Sequence, residues 1–341
     1  MCSCGLDIGT GFLVSARQDD NGTIQCKSIR DAFLDLENDP SVKSMLKMSK
    51  INYIETEDKL YICGDSAPIL ANLFKRECRR PLSKGVLSPG EFEAEKILLV
   101  LLETVIGRSL VPNETCFYSI PANPIDHSID VVYHTAMFSK LISSLGYKPV
   151  SMLESAAIVY SNCAAENFSA IALSAGAGML NVCLMYQTMV TLSFSMVGSG
   201  DWLDEMVSKS TAITAGRAQS VKERGINLLD PNEGDPKTYR EREAYIIYYK
   251  SLVLRVLDAI KTEFSKQQGI DLPSAIPIVL SGGTSLPKGF KELFEAGFNT
   301  VKDRFPIRVS EIKMASSPLN AVAQGLLVAA MNYDEGNKPQ R

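Results

Sequence analysis

The sequence predicts a duplicated α/β fold of two lobes, each a mixed sheet of meander and parallel strands flanked by helices. Three observations predict it. A glycine hairpin inside a strand meander occurs twice, at Leu6-Asp7-Ile8-Gly9-Thr10-Gly11-Phe12-Leu13-Val14 and at Ile171-Ala172-Leu173-Ser174-Ala175-Gly176-Ala177-Gly178-Met179-Leu180-Asn181-Val182. Each copy belongs to the same succession of meander, crossover helix, short apolar strand and helix. The 341 residues are enough for two domains, each with its own core. The repeat is one of architecture, and the halves share few identical residues.

The elements follow in order. The first meander runs from Gly5 to Ile29 and turns at Asp20-Asn21-Gly22. A mixed segment, Arg30 to Gly85, holds strands Ile51 to Glu55 and Lys59 to Cys63 around a Glu57-Asp58 turn. Phe92 to Ile106 reads as a buried helix between Pro89-Gly90 and Gly107. Cys116 to Ile120 is an apolar strand ended by Pro121, and Ile129 to Leu145 is helical by its apolar spacing up to Gly146. The pattern then restarts with strand Val150 to Leu153 and the alanine-rich helix Glu154 to Cys163. The second meander ends at Val197, with a turn inside Met185 to Met189, and Ser199-Gly200-Asp201 caps a helix over Asp201 to Lys209. Arg240 to Lys266 is a long amphipathic helix. Strand Ile276 to Leu280 runs into Ser281-Gly282-Gly283-Thr284, before helices at Lys288 to Phe294 and Pro318 to Met331. The polar tail from Asn332 is expected to fray.

These elements divide into a first lobe, 1–150, with an insert near 30–85, and a second lobe, 151–332, with an insert near 201–250. The helix at 318–332 is expected to return to the first lobe, and 333–341 to form a disordered tail.

Composition narrows the function. Apolar residues make up 45% and charged residues 22%, ordinary values for a globular protein. A net charge of -4 argues against a nucleic-acid surface or a polybasic membrane patch. Apolar runs such as Ile97 to Leu102 are too short to cross a bilayer, and the chain enters a core strand by Gly5, so neither membrane insertion nor a signal peptide is expected. The eight cysteines are scattered, which fits reduced thiols in a cytoplasmic protein better than a disulfide frame. Cys2-Ser3-Cys4 is a lone pair of ligands where zinc wants four, so no metal site is expected there.

The hairpins carry the chemistry. Glycine and small residues leave backbone N–H groups facing outward, which suits a phosphate oxygen. One hairpin alone reads more readily as an ordinary tight turn; two, one per half, suggest two jaws around one nucleotide. Gly9, Thr10 and Gly11 supply the first set of donors, and Gly176, Ala177 and Gly178 the second. Asp7 ends a buried strand, where a charge is costly unless a cation or several donors attend it. Its counterpart in the second copy is Ser174, which can hydrogen-bond but brings no charge.

Together these elements resemble the actin, heat-shock chaperone and sugar-kinase superfamily. Asp7 to Gly11 and Leu173 to Gly178 are similar to its two phosphate loops, and Leu280-Ser281-Gly282-Gly283-Thr284 to its adenosine motif. Glu154-Ser155-Ala156-Ala157-Ile158 and Pro318-Leu319-Asn320-Ala321-Val322-Ala323-Gln324-Gly325 resemble its two connecting helices. Within the superfamily the pattern is nearest to bacterial actins of the MreB and MamK type. Three further stretches carry that likeness: Arg80-Pro81-Leu82-Ser83-Lys84-Gly85-Val86-Leu87, Val197-Gly198-Ser199-Gly200-Asp201-Trp202-Leu203-Asp204-Glu205 and Ala218-Gln219-Ser220-Val221-Lys222-Glu223. Sugar kinases fit less well, because no carbohydrate-binding insertion is visible.

The resemblance implies an actin-like fold with a nucleotide cleft between the lobes, holding ATP or ADP with Mg²⁺ bound to Asp7 through water. It places Gly282, Gly283 and Thr284 at the nucleotide, with Gln219, Lys222 and Glu223 as candidates for the ribose and base. His134 falls where relatives carry the residue that orients the attacking water, and the histidine reads equally as an unremarked helix residue. Glu154 is the connecting-helix carboxylate, a place also favoured simply by the helix dipole. A phosphate-contacting lysine is unassigned. With Ser174 in place of an aspartate, the resemblance implies a slow ATPase. The function implied is a cytoskeletal filament of head-to-tail copies, joined by an adaptor protein where one exists. The competing expectation is a monomeric nucleotide-binding switch, or pseudo-ATPase, that docks a partner when its lobes close. A small-molecule kinase comes third, since no acceptor surface is identifiable.

Overall fold

A computed structural model describes residues 3–88, 90–91, 93–267 and 272–336. The chain divides into two compact units. One comprises the chain up to Ile120, Asp130–Met152 and the chain from Leu326; the other comprises Pro121–Ile129 and Leu153–Gly325.

In the first unit, β1 (Cys4–Ile8), β2 (Phe12–Gln18) and β3 (Ile24–Arg30) form the meander. Its second turn is held by Asp19, whose Oδ1 accepts from the N–H of Asn21 (3.0 Å) and of Thr23 (2.8 Å). Gly22 there has a φ of +83°, a conformation that favours glycine. Next come β4 (Phe33–Glu37), α1 (Pro40–Met48), β5 (Tyr53–Glu55), β6 (Lys59–Cys63) and α2 (Ser66–Phe74), a small sheet in the order β4-β6-β5 with two helices. The hairpin of β7 (Leu82–Ser83) and β8 (Val86–Leu87) precedes α3 (Ala94–Ile106). The expected start of that helix, Phe92 with Pro89 before it, lies outside the described residues. β9 (Glu114–Ile120), α4 (Val131–Ser144) and β10 (Tyr147–Leu153) complete the unit's main sheet, β10-β9-β1-β2-β3, with β9 parallel to β1. Asp130 caps α4 by accepting from the Tyr133 N–H at 3.0 Å, which sets the helix start later than Ile129. Ile97, Leu98, Leu101 and Leu102 of α3 are buried in one cluster with Leu6, Ile8 and Leu13. Each such side chain contributes roughly 1.5–3 kcal/mol by leaving water.

The second unit begins with α5 (Glu154–Asn162) and the meander β11 (Ala170–Ala175), β12 (Met179–Tyr186) and β13 (Met189–Val197). The last two strands meet at Gln187-Thr188, both with positive φ. Then follow α6 (Gly200–Thr211), α7 (Ala215–Glu223), α8 (Tyr239–Ser265), β14 (Ile276–Ser281), α9 (Phe290–Val301), β15 (Val309–Met314) and α10 (Ala321–Gly336). Residues 201–250, read from sequence as an insert, hold α6, α7 and the start of α8, which runs on unbroken. β15 has no counterpart in the sequence reading. α10 continues five residues past Met331, where fraying was expected, because Asp334 accepts from Ser3 Oγ (2.9 Å) and Thr115 Oγ1 (2.7 Å). Residues 337–341 of the expected tail lie outside the described residues.

The second main sheet has the order β13-β12-β11-β14-β15. It repeats the first, with β11, β12, β13, β14 and β15 in the places of β1, β2, β3, β9 and β10. The duplication and the two mixed sheets flanked by helices expected from sequence are present.

Candidate functional site

The two hairpins are built alike. Between β1 and β2 the Gly9 N–H donates to the Phe12 carbonyl at 3.0 Å; between β11 and β12 the Gly176 N–H donates to the Met179 carbonyl at 2.9 Å. A Cβ on Gly9 would stand 2.8 Å from the Phe12 oxygen, and one on Gly176 3.1 Å from the Met179 oxygen. Glycine is needed here for close approach, since neither residue has a left-handed φ. After each closing bond come two N–H groups, those of Thr10 and Gly11 and those of Ala177 and Gly178. None of the four has a hydrogen-bond partner among the described residues.

Around the first hairpin, Asp7 Oδ1 accepts from Ser119 Oγ at 2.9 Å, and that Oγ accepts from the Ile8 N–H at 2.7 Å. Burial raises the Asp7 carboxyl to about 6, while the bonds from Ser119 and the Ile8 backbone pull it back. A cation beside it would stabilise the ionised form. Thr10 Oγ1 accepts from the Gly85 N–H at 3.0 Å, and the Gly11 carbonyl from the Asp31 N–H at 3.1 Å. Thr10 thereby holds the β7–β8 turn, whose residues Lys84 and Gly85 both have positive φ. The exposed Lys84 is thus one residue from the first hairpin's contact. The Lys-Gly pair between two short strands was the signal for this turn, and sequence reading passed over it.

Ser174 Oγ, in the second hairpin, donates to Glu154 Oε1, and Asn181 Nδ2 donates to Glu154 Oε2 at 2.8 Å. Asn181 Oδ1 in turn accepts from the Ala122 N–H at 3.0 Å. Glu154 is the first residue of α5, where the helix dipole favours a carboxylate. Ser174 brings a hydrogen bond and no charge, and the carboxylate it bonds is Glu154 of the connecting helix. The Gly176 carbonyl accepts from the Gly200 N–H (3.1 Å), Ser199 Oγ (2.7 Å) and Thr284 Oγ1 (2.7 Å). The Asp201 N–H reaches the Ala177 carbonyl at 2.8 Å, so the first turn of α6 is seated on the hairpin.

The glycines after β14 are placed by the same contacts. Gly282 has a φ of +93°, and a Cβ there would stand 2.3 Å from the Ala175 oxygen. Its N–H donates to the Pro318 carbonyl at 3.0 Å. Gly283 is open by comparison, its virtual Cβ meeting only Leu319 Cδ2, at 3.6 Å. Thr284 spends its hydroxyl on Gly176, and the Tyr249 hydroxyl donates to the Thr284 carbonyl at 3.0 Å. Lys222 pairs with Asp204 at 2.7 Å and donates to the Gly200 carbonyl at 3.1 Å. Tyr245 also donates to Asp204, at 2.6 Å. Burial raises the Asp204 carboxyl against the pull of Lys222 and Tyr245. Lys222 is therefore engaged in holding α6 against α7. Gln219 Nε2 donates to Glu223 Oε1 at 2.9 Å, one turn along the accessible face of α7.

The second unit thus brings together Glu154, Ser174, Gly176, Ala177, Gly178, Gly282 and Thr284, with Lys222 joined through Gly200. The first unit gathers Asp7, Gly9, Thr10 and Gly11. His134 is placed differently. Its ring is fully buried, 4.8 Å from Phe138, and neither nitrogen has a partner among the described residues. Burial lowers it to about 4, so it is neutral at pH 7. Orienting a water requires a ring that reaches solvent, which this arrangement does not give it. Sequence reading missed Ser119, Asn181, Ser199 and Asp204 as partners, and their residue types carry no local signal of the role.

Among the described residues no cluster of three or more His, Cys, Asp or Glu could hold a metal. A Mg²⁺ ion keeps several waters and takes one or two carboxylates together with phosphate oxygens, so it would need no such cluster. Asp7 and Glu154 are the hard oxygen donors at the two hairpins. No helix among the described residues is long and apolar enough to cross a membrane.

The model of the Volactin family matches residues 2–330. No curated protein matches the chain in sequence. Among solved structures, the MamK double helical filament is similar with a TM-score of 0.70 and 17% identity over 97% of this chain and 98% of that one. MreB5 of Spiroplasma citri bound to ADP has a TM-score of 0.67 and 14% identity over 99% of each chain. The ethanolamine utilization protein EutJ from Carboxydothermus hydrogenoformans has a TM-score of 0.56 and 14% identity, covering 96% of this chain and 90% of that one. The actin-like fold expected from the sequence motifs is the fold these structures share with the chain.

Proposed function

We propose a function for a chain that belongs to the Volactin family and has the actin-like fold: it binds ATP or ADP with Mg²⁺ and assembles head to tail into cytoskeletal filaments, hydrolysing ATP slowly. The observation that carries the nucleotide reading is the matched pair of hairpins. Each offers two backbone N–H groups without a partner among the described residues, beside a carboxylate. Unpaired N–H groups in a tight turn are an anion cradle, and the carboxylates suit a cation that accompanies phosphate. Asp7 is the residue for Mg²⁺ through water at the first hairpin. Gly9, Thr10, Gly11, Gly176, Ala177 and Gly178 hold phosphate, with Lys84 as the added cation. Gly283, Gln219 and Glu223 serve the nucleoside.

The filament reading is supported by the fold shared with MamK, solved as a double helical filament. The nucleotide reading is supported by MreB5 solved with ADP and by a non-polymerising MamK mutant solved with AMPPNP. A head-to-tail contact uses two different surfaces and does not close, which is what a filament requires. Slow turnover fits a site whose expected water-orienting residue, His134, is buried. The competing reading, a monomeric nucleotide-binding switch, is motivated by the loss of an aspartate at Ser174, and it predicts nucleotide binding with no sedimentable polymer. Sedimentation with Mg-ATP, followed by electron microscopy and phosphate release on one sample, tests the proposal. Polymer in the pellet with little phosphate released is expected; monomers alone across salt and temperature would refute the filament.

A further inference from the structure

We propose that Cys4 and Cys116 form a redox modification site, at which hydrogen peroxide joins the two sulfurs in a disulfide between β1 and β9. The site does not depend on the nucleotide reading above. Cys4 and Cys116 are direct partners on neighbouring parallel strands. Among the described residues no other cysteine faces a cysteine across a strand pair. Cys26 faces Ala16, Cys63 faces Phe33, and Cys183 faces Ala172 and Ser193. Direct partners share a face of the sheet, and neighbouring strands lie about 4.8 Å apart, inside the span of about 4.4–6.8 Å that a disulfide bridges. The Cys4 thiol is within hydrogen-bonding reach of Cys116. Both are free thiols, each 0% exposed.

A cation completes the row. Gly5 pairs with Ala16 of β2, which brings Arg17 beside Cys4. Strands β2, β1 and β9 thus present Arg17, Cys4 and Cys116 in a line. The Arg17 guanidinium is held by Glu114 and by the Tyr147 hydroxyl, to which it donates at 2.6 Å. Its side chain is 34% exposed, so solvent meets the row at Arg17. The bond with Cys4 and burial hold the Cys116 thiol well above its ordinary range, and Arg17 pulls it back. Burial shuts out bulky disulfides, while the guanidinium favours the thiolate, the attacking form. One thiolate attacks a peroxide oxygen: an S–O bond forms as the O–O bond breaks, and the hydroxide released takes the thiol's proton to become water. The second thiolate attacks the sulfenic sulfur: the S–S bond forms as the S–O bond breaks, and a second water leaves. Two thiols lose two electrons and two protons, and one hydrogen peroxide becomes two waters.

The bridge would lie beneath the first hairpin, since Asp7 and Ser119, bonded at 2.9 Å, each follow a cysteine of the pair on the same two strands. To test it, the folded full chain is treated with hydrogen peroxide, cleared with catalase, unfolded in N-ethylmaleimide and mapped by tryptic mass spectrometry. A linked pair of peptides carrying Cys4 and Cys116, lighter by two hydrogens than the separate thiols and released by dithiothreitol, is expected. Cys2 shares the tryptic peptide of Cys4. Cys2→Ser is therefore expected to keep the link, and Cys4→Ser and Cys116→Ser to lose it, with melting curves to confirm that each folds. Linking is expected to raise the melting temperature by roughly 4–16 °C, the effect of a disulfide that closes a long loop in a unit of this size. Cys183, equally buried but facing no cysteine, is expected to remain a thiol. Glutathione disulfide is expected to modify the exposed Cys26 and spare the pair. The site is refuted if Cys4 and Cys116 both take N-ethylmaleimide after peroxide has fully oxidised Cys26, if either is oxidised alone to a sulfinic acid, or if the link survives in Cys4→Ser.

Discussion

Gly325→Ala is expected to destabilise the second unit by about 3 kcal/mol, at the upper end of ordinary overpacking. A Cβ at this position would stand 1.7 Å from the Ala157 carbonyl oxygen and 2.5 Å from its carbon, so α10 and α5 cross with backbone nearly in contact. The neighbour is backbone and cannot rotate away. Alanine in place of glycine ordinarily favours a helix by about 1 kcal/mol, so the clash must outweigh a gain before any loss appears. For a unit of this size the net effect corresponds to a melting temperature lower by roughly 6–12 °C. Gly216→Ala in α7 is the control, because nothing lies within 4 Å of its virtual Cβ. There the propensity gain is unopposed, and a rise in stability of up to about 1 kcal/mol is expected. Scanning calorimetry of both variants decides; equal and small effects would mean that the two helices separate more easily than their packing implies.

Asp7→Asn is expected to act in opposite directions on function and stability. With Mg²⁺ and ATP it removes the carboxylate assigned to the metal, and metal affinity should fall about a hundredfold, the upper range for losing a group that orients a metal. In EDTA the same variant should be more stable at pH 7. The Asp7 carboxyl is raised from 3.8 to about 6 by burial, so its ionisation costs the folded state energy. The sign follows from linkage: between those two values the folded chain binds more protons than the unfolded one, so stability falls as pH rises from 3.8 to 6 and stays lower above. The shift corresponds to about 3 kcal/mol. Asparagine escapes that cost at pH 7, and the advantage disappears near pH 4. Urea melts at both pH values in EDTA check it; a variant less stable than wild type at pH 7 would show that the Ser119 bond outweighs burial. Functional residues that cost stability in this way are common, because binding needs charge where folding does not.

Much of the fold was legible because its turns are dictated by chemistry. Asn21-Gly22 names a hairpin, and Gly9 and Gly176 stand where a Cβ would strike the carbonyl that closes the turn. Gly282 was legible for a further reason, its positive φ. β15 was not, because a half-exposed strand shows no clear alternation and is defined by its parallel pairing with β14, a partner distant in the chain. α1 and α2 were missed inside a mixed segment, although Asp39 before Pro40 is an ordinary helix start. The site was harder. The sequence puts Glu154 first on a helix and Ser174 in the second glycine hairpin, but their hydrogen bond spans 20 residues and leaves no local trace. Lys222 reads as a surface cation until α6 presents Asp204 to it. His134 sits at the expected place in its helix, and only the packing of Phe138 and its surroundings reveals that the ring is enclosed.

The central claim is that the unpartnered N–H groups of the hairpins bind nucleotide phosphate. Calorimetric titration of ADP at excess Mg²⁺ into wild type, Gly9→Val and Gly176→Val tests it most directly, with melting curves to confirm that the variants fold. ADP binding is predicted for wild type, with binding lost on filling a hairpin. No ADP bound by folded wild type, or binding that survives in both variants, would contradict it.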